Sequence, residues 1–247
     1  MLREWVQDFF DRVGYTVTSK AKVEIGMEEF REIYEAARAY TMTTKESMYS
    51  LYKAVEYLVK HRIPGDLVEC GTWKGGSAMV AALALKKLGD TTRRFYLYDT
   101  YEGMSEPTDK DVNWHDVSAK DELAAHAHEK EFSVWCCASL DEVRRNLLAT
   151  GYPSERLVFV KGKVEDTIPG TMPERIALLR LDTDWHASTA HELSHLFPRL
   201  ATHGVLIIND YGFWKGAREA TDEYFAAHQV RMLLHRTDYT ERIGVKT

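Results

Sequence analysis

Leu67-Val-Glu-Cys-Gly-Thr-Trp-Lys-Gly-Gly-Ser77 passes from an apolar strand through a glycine-rich turn straight into an apolar helix predicted over 78–88. Glycines let a backbone approach a ligand closely, and a helix N-terminus presents free N–H groups, so the stretch is suited to a polar ligand, although a plain strand-to-helix turn would read the same way. Downstream, strand and helix signals alternate. Strands are predicted at 67–70, 94–98, 157–161, 176–181 and 205–208, with helices at 77–88, 140–150, 188–200 and 217–227. Such alternation implies an α/β fold with a mostly parallel sheet. Two further strands, 230–235 and 239–245, joined by a tight turn around Thr237-Asp238, would add an antiparallel C-terminal edge.

Upstream of Leu67 the apolar residues recur at helical spacing: Trp5, Phe9 and Phe10, then Phe30, Ile33, Tyr34 and Ala37, then Met48, Leu51, Tyr52, Val55, Leu58 and Val59. Thr44, with Glu46 close behind it, predicts an N-cap for a helix over 44–60, and Ile63-Pro-Gly-Asp66 ends it. Residues 1–62 are therefore expected to form an N-terminal helical arm and 63–247 the main domain. Residues 101–132 break the alternation. They are rich in Asp, Glu and His around Trp114, and are expected to be an inserted lid rather than a disordered excursion.

Two predicted strands end in oxygen-bearing side chains: Leu178-Leu-Arg-Leu-Asp-Thr-Asp-Trp185 and Val205-Leu-Ile-Ile-Asn-Asp210. As parallel neighbours they would bring Asp182, Asn209 and Asp210 together at the carboxyl edge of the sheet, where open α/β folds place ligands. Hard oxygen ligands suit Mg²⁺ better than zinc, although any one of these acids could merely cap the next helix. The turn spacing, Gly71 followed by Gly75-Gly76 with Glu69 two places ahead, departs from the Gly-x-Gly-x-x-Gly of dinucleotide folds. It is similar to the loop that holds S-adenosylmethionine in Rossmann-like methyltransferases. Asp99, ending the second strand 24 residues beyond Gly75, is a candidate acceptor for a ribose diol.

Composition narrows the partners. A chain of 247 residues, 45% hydrophobic, can bury a full core, and a net charge of -6 argues against a nucleic-acid footprint. Cys70, Cys136 and Cys137 form no disulfide framework, and neither a signal peptide nor a membrane span is evident. A soluble cytoplasmic protein with a small-molecule partner, and without nucleic-acid or membrane partners, is the expectation.

Beyond these patterns, Pro64-Gly-Asp-Leu-Val-Glu-Cys-Gly-Thr-Trp-Lys-Gly-Gly76, Asp99-Thr-Tyr-Glu-Gly103, Lys161-Gly-Lys-Val-Glu-Asp-Thr-Ile-Pro169, Leu181-Asp-Thr-Asp-Trp-His-Ala-Ser-Thr189 and Asn209-Asp-Tyr-Gly212 resemble, in order, the motifs of the macrocin O-methyltransferase family. The family contains metal-dependent sugar methyltransferases of macrolide and aminocoumarin antibiotic pathways. The resemblance implies a seven-stranded, Rossmann-like class I methyltransferase fold, S-adenosylmethionine as donor, Mg²⁺ and a hydroxyl acceptor. It implies that Glu69, Gly71, Gly75, Gly76 and Ser77 surround the methionine part of the donor and Asp99 its ribose. Ser139, Val164 and Glu165 would surround the adenine, and Thr43 would close over the donor. Asp182 would bind metal and serve as base, with Asn209 and Asp210 as further ligands. Asn209 replaces an expected Asp, which removes one charge but keeps a carbonyl oxygen for Mg²⁺. His186 stands where Tyr is usual and is a rival base or acceptor contact; Ala187 replaces a Glu.

The reaction expected is methyl transfer to a sugar hydroxyl, with Asp182 taking the proton. Two alternatives stay open: a catalytically silent donor-binding or scaffold protein, suggested by Asn209, and an NAD-dependent reductase or epimerase, which would want the dinucleotide glycine spacing. The aromatic content of the arm and of the insertion points to mobile walls and, for the arm, a homo-oligomer interface.

Overall fold

The computed structural model describes residues 27–126 and 135–247. Trp5, Phe9 and Phe10 of the expected arm, and 127–132 of the expected insertion, lie outside the described residues. The chain divides into two compact units, Met1–Glu32 and Ile33–Thr247, and the sheet belongs to the second. A short helix α1 (Arg31–Ala37) precedes α2 (Lys45–Lys60), which starts where predicted: Thr44 is extended and its Oγ1 accepts from the Ser47 N–H at 3.2 Å. The face of α2 carrying Met48, Leu51, Tyr52, Val55 and Leu58 is buried, as the helical periodicity requires.

Seven strands form one sheet: β1 (Asp66–Cys70), β2 (Phe95–Asp99), β3 (Leu157–Lys161), β4 (Ile176–Leu181), β5 (Leu200–Ile208), β6 (His235–Arg236) and β7 (Arg242–Val245). Their order is β3-β2-β1-β4-β5-β7-β6. The first five run parallel, β7 lies antiparallel to β5, and β6 antiparallel to β7. This is the expected class I methyltransferase sheet. Between the strands lie α3 (Gly76–Lys87), α4 (Ala119–Ala125), α5 (Leu140–Ala149), α6 (Val164–Thr167), α7 (His186–Leu196) and α8 (Lys215–Ala227).

Two predicted elements have different bounds. The helix expected to reach 200 stops at Leu196, because Pro198 has no N–H to continue the ladder; a 3-10 turn, Phe197–Arg199, feeds β5 instead. The strand expected over 230–235 pairs only through His235 and Arg236. Val230, Met232 and Leu234 keep the alternation and pack on the core, but Val230 N–H donates to Phe225 O at 2.9 Å instead of joining a ladder with the short β7.

Strands β1 and β4 are almost wholly buried, with Val68, Cys70, Leu179 and Leu181 in the core beside Ile208 of β5. Two charged residues interrupt these apolar runs, Glu69 and Arg180, and they are register partners across the β1–β4 pair. The strand order reverses between β1 and β4, so the crevice beyond their carboxyl ends is where such sheets bind ligands. The ladder continues one residue past each strand: Gly71 N–H donates to Tyr98 O, Asp182 N–H to Cys70 O, and Asn209 N–H to Leu181 O. Gly71, Asp182 and Asn209 are thereby held in line along one edge. Only glycine serves at 71, where φ is +81° and a side chain would overlap the Asp182 carbonyl.

Candidate active site

A cleft of about 330 Å³ opens above that edge. Of the predicted donor residues, Thr43, Gly71, Gly76, Ser77, Asp99, Val164 and Glu165 line it, and so do Asp182, Asn209 and Asp210. Glu69, Gly75, Ser139 and His186 do not. Glu69 lies beneath the floor, 2% exposed and paired with Arg180. Gly75 is the left-handed N-cap of α3, with φ +88°, and a side chain there would crowd Leu147. Ser139 is exposed and caps α5, accepting from the Glu142 N–H. His186 begins α7 on another face, its Nε2 2.9 Å from Lys110 Nζ and 3.1 Å from Glu223 Oε2.

The glycine turn is already committed to protein acceptors in part. Gly75 N–H donates to Thr72 O, while Thr72 and Trp73 N–H donate to Asp99 Oδ2 at 2.7 and 2.9 Å. Tyr101 N–H donates to Asp99 Oδ1 at 2.7 Å. Asp99 thus ties the end of β2 to the turn, and the N–H groups left for a ligand are those of the first turn of α3. Burial pushes the Asp99 carboxyl up from its ordinary range, against the pull of these backbone donors.

At the floor stands Arg180, which the sequence reading quoted but gave no role. Its guanidinium is 2% exposed; Nη1 donates to Glu69 Oε1 at 2.8 Å and to Asp182 Oδ2 at 2.5 Å, and Nη2 to Asn209 Oδ1 at 3.0 Å. Burial works against its charge, but Asp182 and Glu69 raise its affinity for the proton. The signal for it was available: an arginine in an otherwise apolar central strand demands acidic partners. Burial outweighs the guanidinium at Glu69, whose pKa is pushed up to about 8.

Asp184 is the second residue given no role from the sequence. One oxygen each of Asp182, Asp184 and Asp210 lies within 4.8 Å of the others. Asp184 takes a left-handed φ of +68°, a conformation that costs a non-glycine residue on the order of 1 to 3 kcal/mol, and Trp214 Nε1 donates to its Oδ2 at 3.0 Å. Burial and neighbouring carboxylates push both Asp184 and Asp210 above the usual carboxylate range. Asn209 sits beside the cluster with its Oδ1 held by Arg180, and its Nδ2 donates to Asp210 Oδ1 at 3.3 Å.

Two contacts tie the insertion to the start of α7. Asp111, fully buried, accepts from Thr108 N–H and Oγ1 and from the His186 N–H at 2.7 Å, so it caps α7 from outside that helix. Trp185 Nε1 donates to Ser105 O at 3.0 Å.

With this geometry in hand, similarity to known proteins is decisive. Residues 8–243 match the Macrocin-O-methyltransferase (TylF) family. The chain belongs to that family. It is 35% identical over 75% of its length to the 8-demethyl-8-(2,3-dimethoxy-alpha-L-rhamnosyl)-tetracenomycin-C 4'-O-methyltransferase of Streptomyces olivaceus, covering 67% of that protein. It is 31% identical over 93% of its length to the mycinamicin III 3''-O-methyltransferase of Micromonospora griseorubida, covering 88% of that protein. The solved O-methyltransferase NovP superposes with a TM-score of 0.73 at 27% identity, covering 84% of this chain and 82% of that one. The macrocin-family chain is therefore an O-methyltransferase by family, which removes the reductase reading. No described helix is long and apolar enough to cross a membrane.

Proposed function

We propose that this macrocin-family enzyme methylates a hydroxyl of a sugar carried by a small natural product, with a divalent cation such as Mg²⁺ at Asp182 and Asp210. The observation that carries the reading is the half-buried carboxylate cluster at the floor of the cleft, whose only bound guanidinium among the described residues is that of Arg180. Three carboxylates that share one guanidinium fit a hard divalent cation. The cleft fits the donor: Asp99 offers a carboxylate and α3 its first-turn N–H groups. The relatives' names, which specify sugar positions on antibiotics, support the acceptor class.

When bound, S-adenosylmethionine supplies an electrophilic methyl and the cation supplies positive charge for the acceptor oxygen. The protein's own tasks are to aim the acceptor and accept its proton. The sequence expectation gave Asp182 both roles. What supports Asp184 for the proton is that Arg180 already draws on Asp182 Oδ2, whereas Asp184 is bound by the neutral Trp214 N–H. Asp182 is then the ligand and Asp184 the base. A homo-oligomer built through residues 1–62 remains part of this reading, and sedimentation tests it.

The direct test is transfer of a labelled methyl to 6-deoxyhexose glycosides, with added Mg²⁺ or excess chelator. Product with Mg²⁺ and none with chelator is expected. Full turnover in chelator would remove the metal, and calorimetry without S-adenosylhomocysteine binding would remove the donor site.

A further inference from the structure

Trp114 leaves 46% of its surface in solvent, and so does Tyr239; their rings lie 5.5 Å apart, with Phe213 5.7 Å from Trp114. Phe213 and Tyr239 also line the catalytic cleft, so the three rings continue its wall outward. The backbone around the indole is pinned. Asn113 is buried and bridges Trp214, its Oδ1 accepts from the His115 and Val117 N–H groups at 2.8 and 3.0 Å, and Val112 O accepts from Lys215 N–H at 2.8 Å. A large apolar side chain held half-exposed by a buried framework is presented, not left over.

A cleft of about 330 Å³ is at the lower end for one drug-sized ligand, yet this reaction brings two. With the donor inside, the reacting hydroxyl must reach the carboxylates and the rest of the acceptor must pass out along the wall. That wall offers ring faces. The cleft itself carries Asp99, Glu165, Asp182, Asp184, Asp210 and Asp238 against Lys163, the one Lys or Arg among its described lining residues, so the apolar part of an acceptor is left to the rings.

Resting on the sugar-acceptor reading above, we propose that Trp114, Tyr239 and Phe213 form a stacking platform for a flat, apolar aglycone carried by the acceptor sugar.

The test uses the intact enzyme saturated with S-adenosylhomocysteine and three probes: 2-naphthol, and the 2-naphthyl and methyl glycosides of one 6-deoxyhexose. The naphthyl glycoside is expected to bind at least about tenfold more tightly than the methyl glycoside. Trp114→Ala should abolish that difference, Trp114→Phe should keep most of it, and neither should change donor-product affinity or the thermal midpoint. An equal affinity for the two glycosides, or a preference that survives in both Trp114→Ala and Tyr239→Ala, overturns the platform. If 2-naphthol binds the parent and not Trp114→Ala while no glycoside is methylated, the platform stands and the sugar reading fails.

Discussion

Arg180 Nη1 donates to Asp182 Oδ2 at 2.5 Å and, from the same nitrogen, to Glu69 Oε1 at 2.8 Å, so one buried cation joins the floor of the cleft to the strand beneath it. Removing one partner of a buried ion pair costs about 3 to 5 kcal/mol, because the other charge is left without compensation. Arg180→Met should lose stability in that range in urea unfolding. Arg180→Lys keeps the charge without the fork that reaches both acids and Asn209, so it should fold better than the Met variant yet turn over more slowly than the parent. Parental stability in Arg180→Met would show that the pair is not formed.

The division of labour between the two aspartates separates cleanly in calorimetry and rate. Asp182→Asn should weaken divalent-cation binding and abolish turnover. Asp184→Asn should weaken cation binding by about tenfold, since a charge a few ångströms away is lost, leave donor-product affinity within a few-fold, and at saturating cation lower kcat by about a hundredfold or more, the usual contribution of a positioned base. A parental kcat in Asp184→Asn returns the proton to Asp182.

Asn209 accepts from Arg180 and donates to Asp210, two roles of one amide. Aspartate there would keep the first, lose the second and add a charge beside the cation. Asn209→Asp should tighten Mg²⁺ binding by about tenfold, since charges a few ångströms apart interact by on the order of 1 to 4 kcal/mol at partly screened sites. Unchanged affinity in a metal titration would mean that position 209 does not feel the ion.

Much of this was legible in the chain, because period and punctuation report local structure directly. The alternation of apolar runs fixed five parallel strands, the Gly71 to Gly76 spacing located the turn, and Thr44 announced its helix. Asp184 and Asp111 stayed silent for a different reason: their meaning lies in partners 30 and 75 positions away. No window of sequence distinguishes Ser139 as a helix cap from Ser139 as an adenine contact, or tells that α7 turns His186 toward Glu223. Local pattern specifies elements, and tertiary register specifies which side chains meet.

Asp99 serves the turn as well as the ligand, and the two roles predict separable effects. Asp99→Ala should weaken S-adenosylhomocysteine binding by about tenfold or more, since hydrogen bonds to a charged group contribute on the order of 1.5 to 3 kcal/mol. It should also lower the thermal midpoint, because the Thr72, Trp73 and Tyr101 N–H groups lose their acceptor. Calorimetry showing parental affinity would leave Asp99 as a structural tie alone.

Glu192, on α7, is fully buried: Thr183 Oγ1 donates to its Oε1 at 2.9 Å, and its Oε2 has no partner among the described residues. Burial drives its pKa well above the ordinary carboxylate value, with Glu165 and Asp182 adding to the rise and the Thr183 hydroxyl opposing it. The folded state therefore holds a proton that the unfolded chain releases near pH 4.3 to 4.5. A raised folded pKa contributes stability that is full below the unfolded pKa and is lost as pH climbs through the folded one, at about 1.4 kcal/mol per pH unit between them. Glu192→Gln keeps the shape and removes the titration. Its unfolding free energy should therefore gain on the parent's as pH rises from about 5.5 to 7.5, with both proteins measured in urea at each pH. Parallel stability curves across that interval would mean that Glu192 is ionised in the folded enzyme, with a counter-charge reaching its second oxygen.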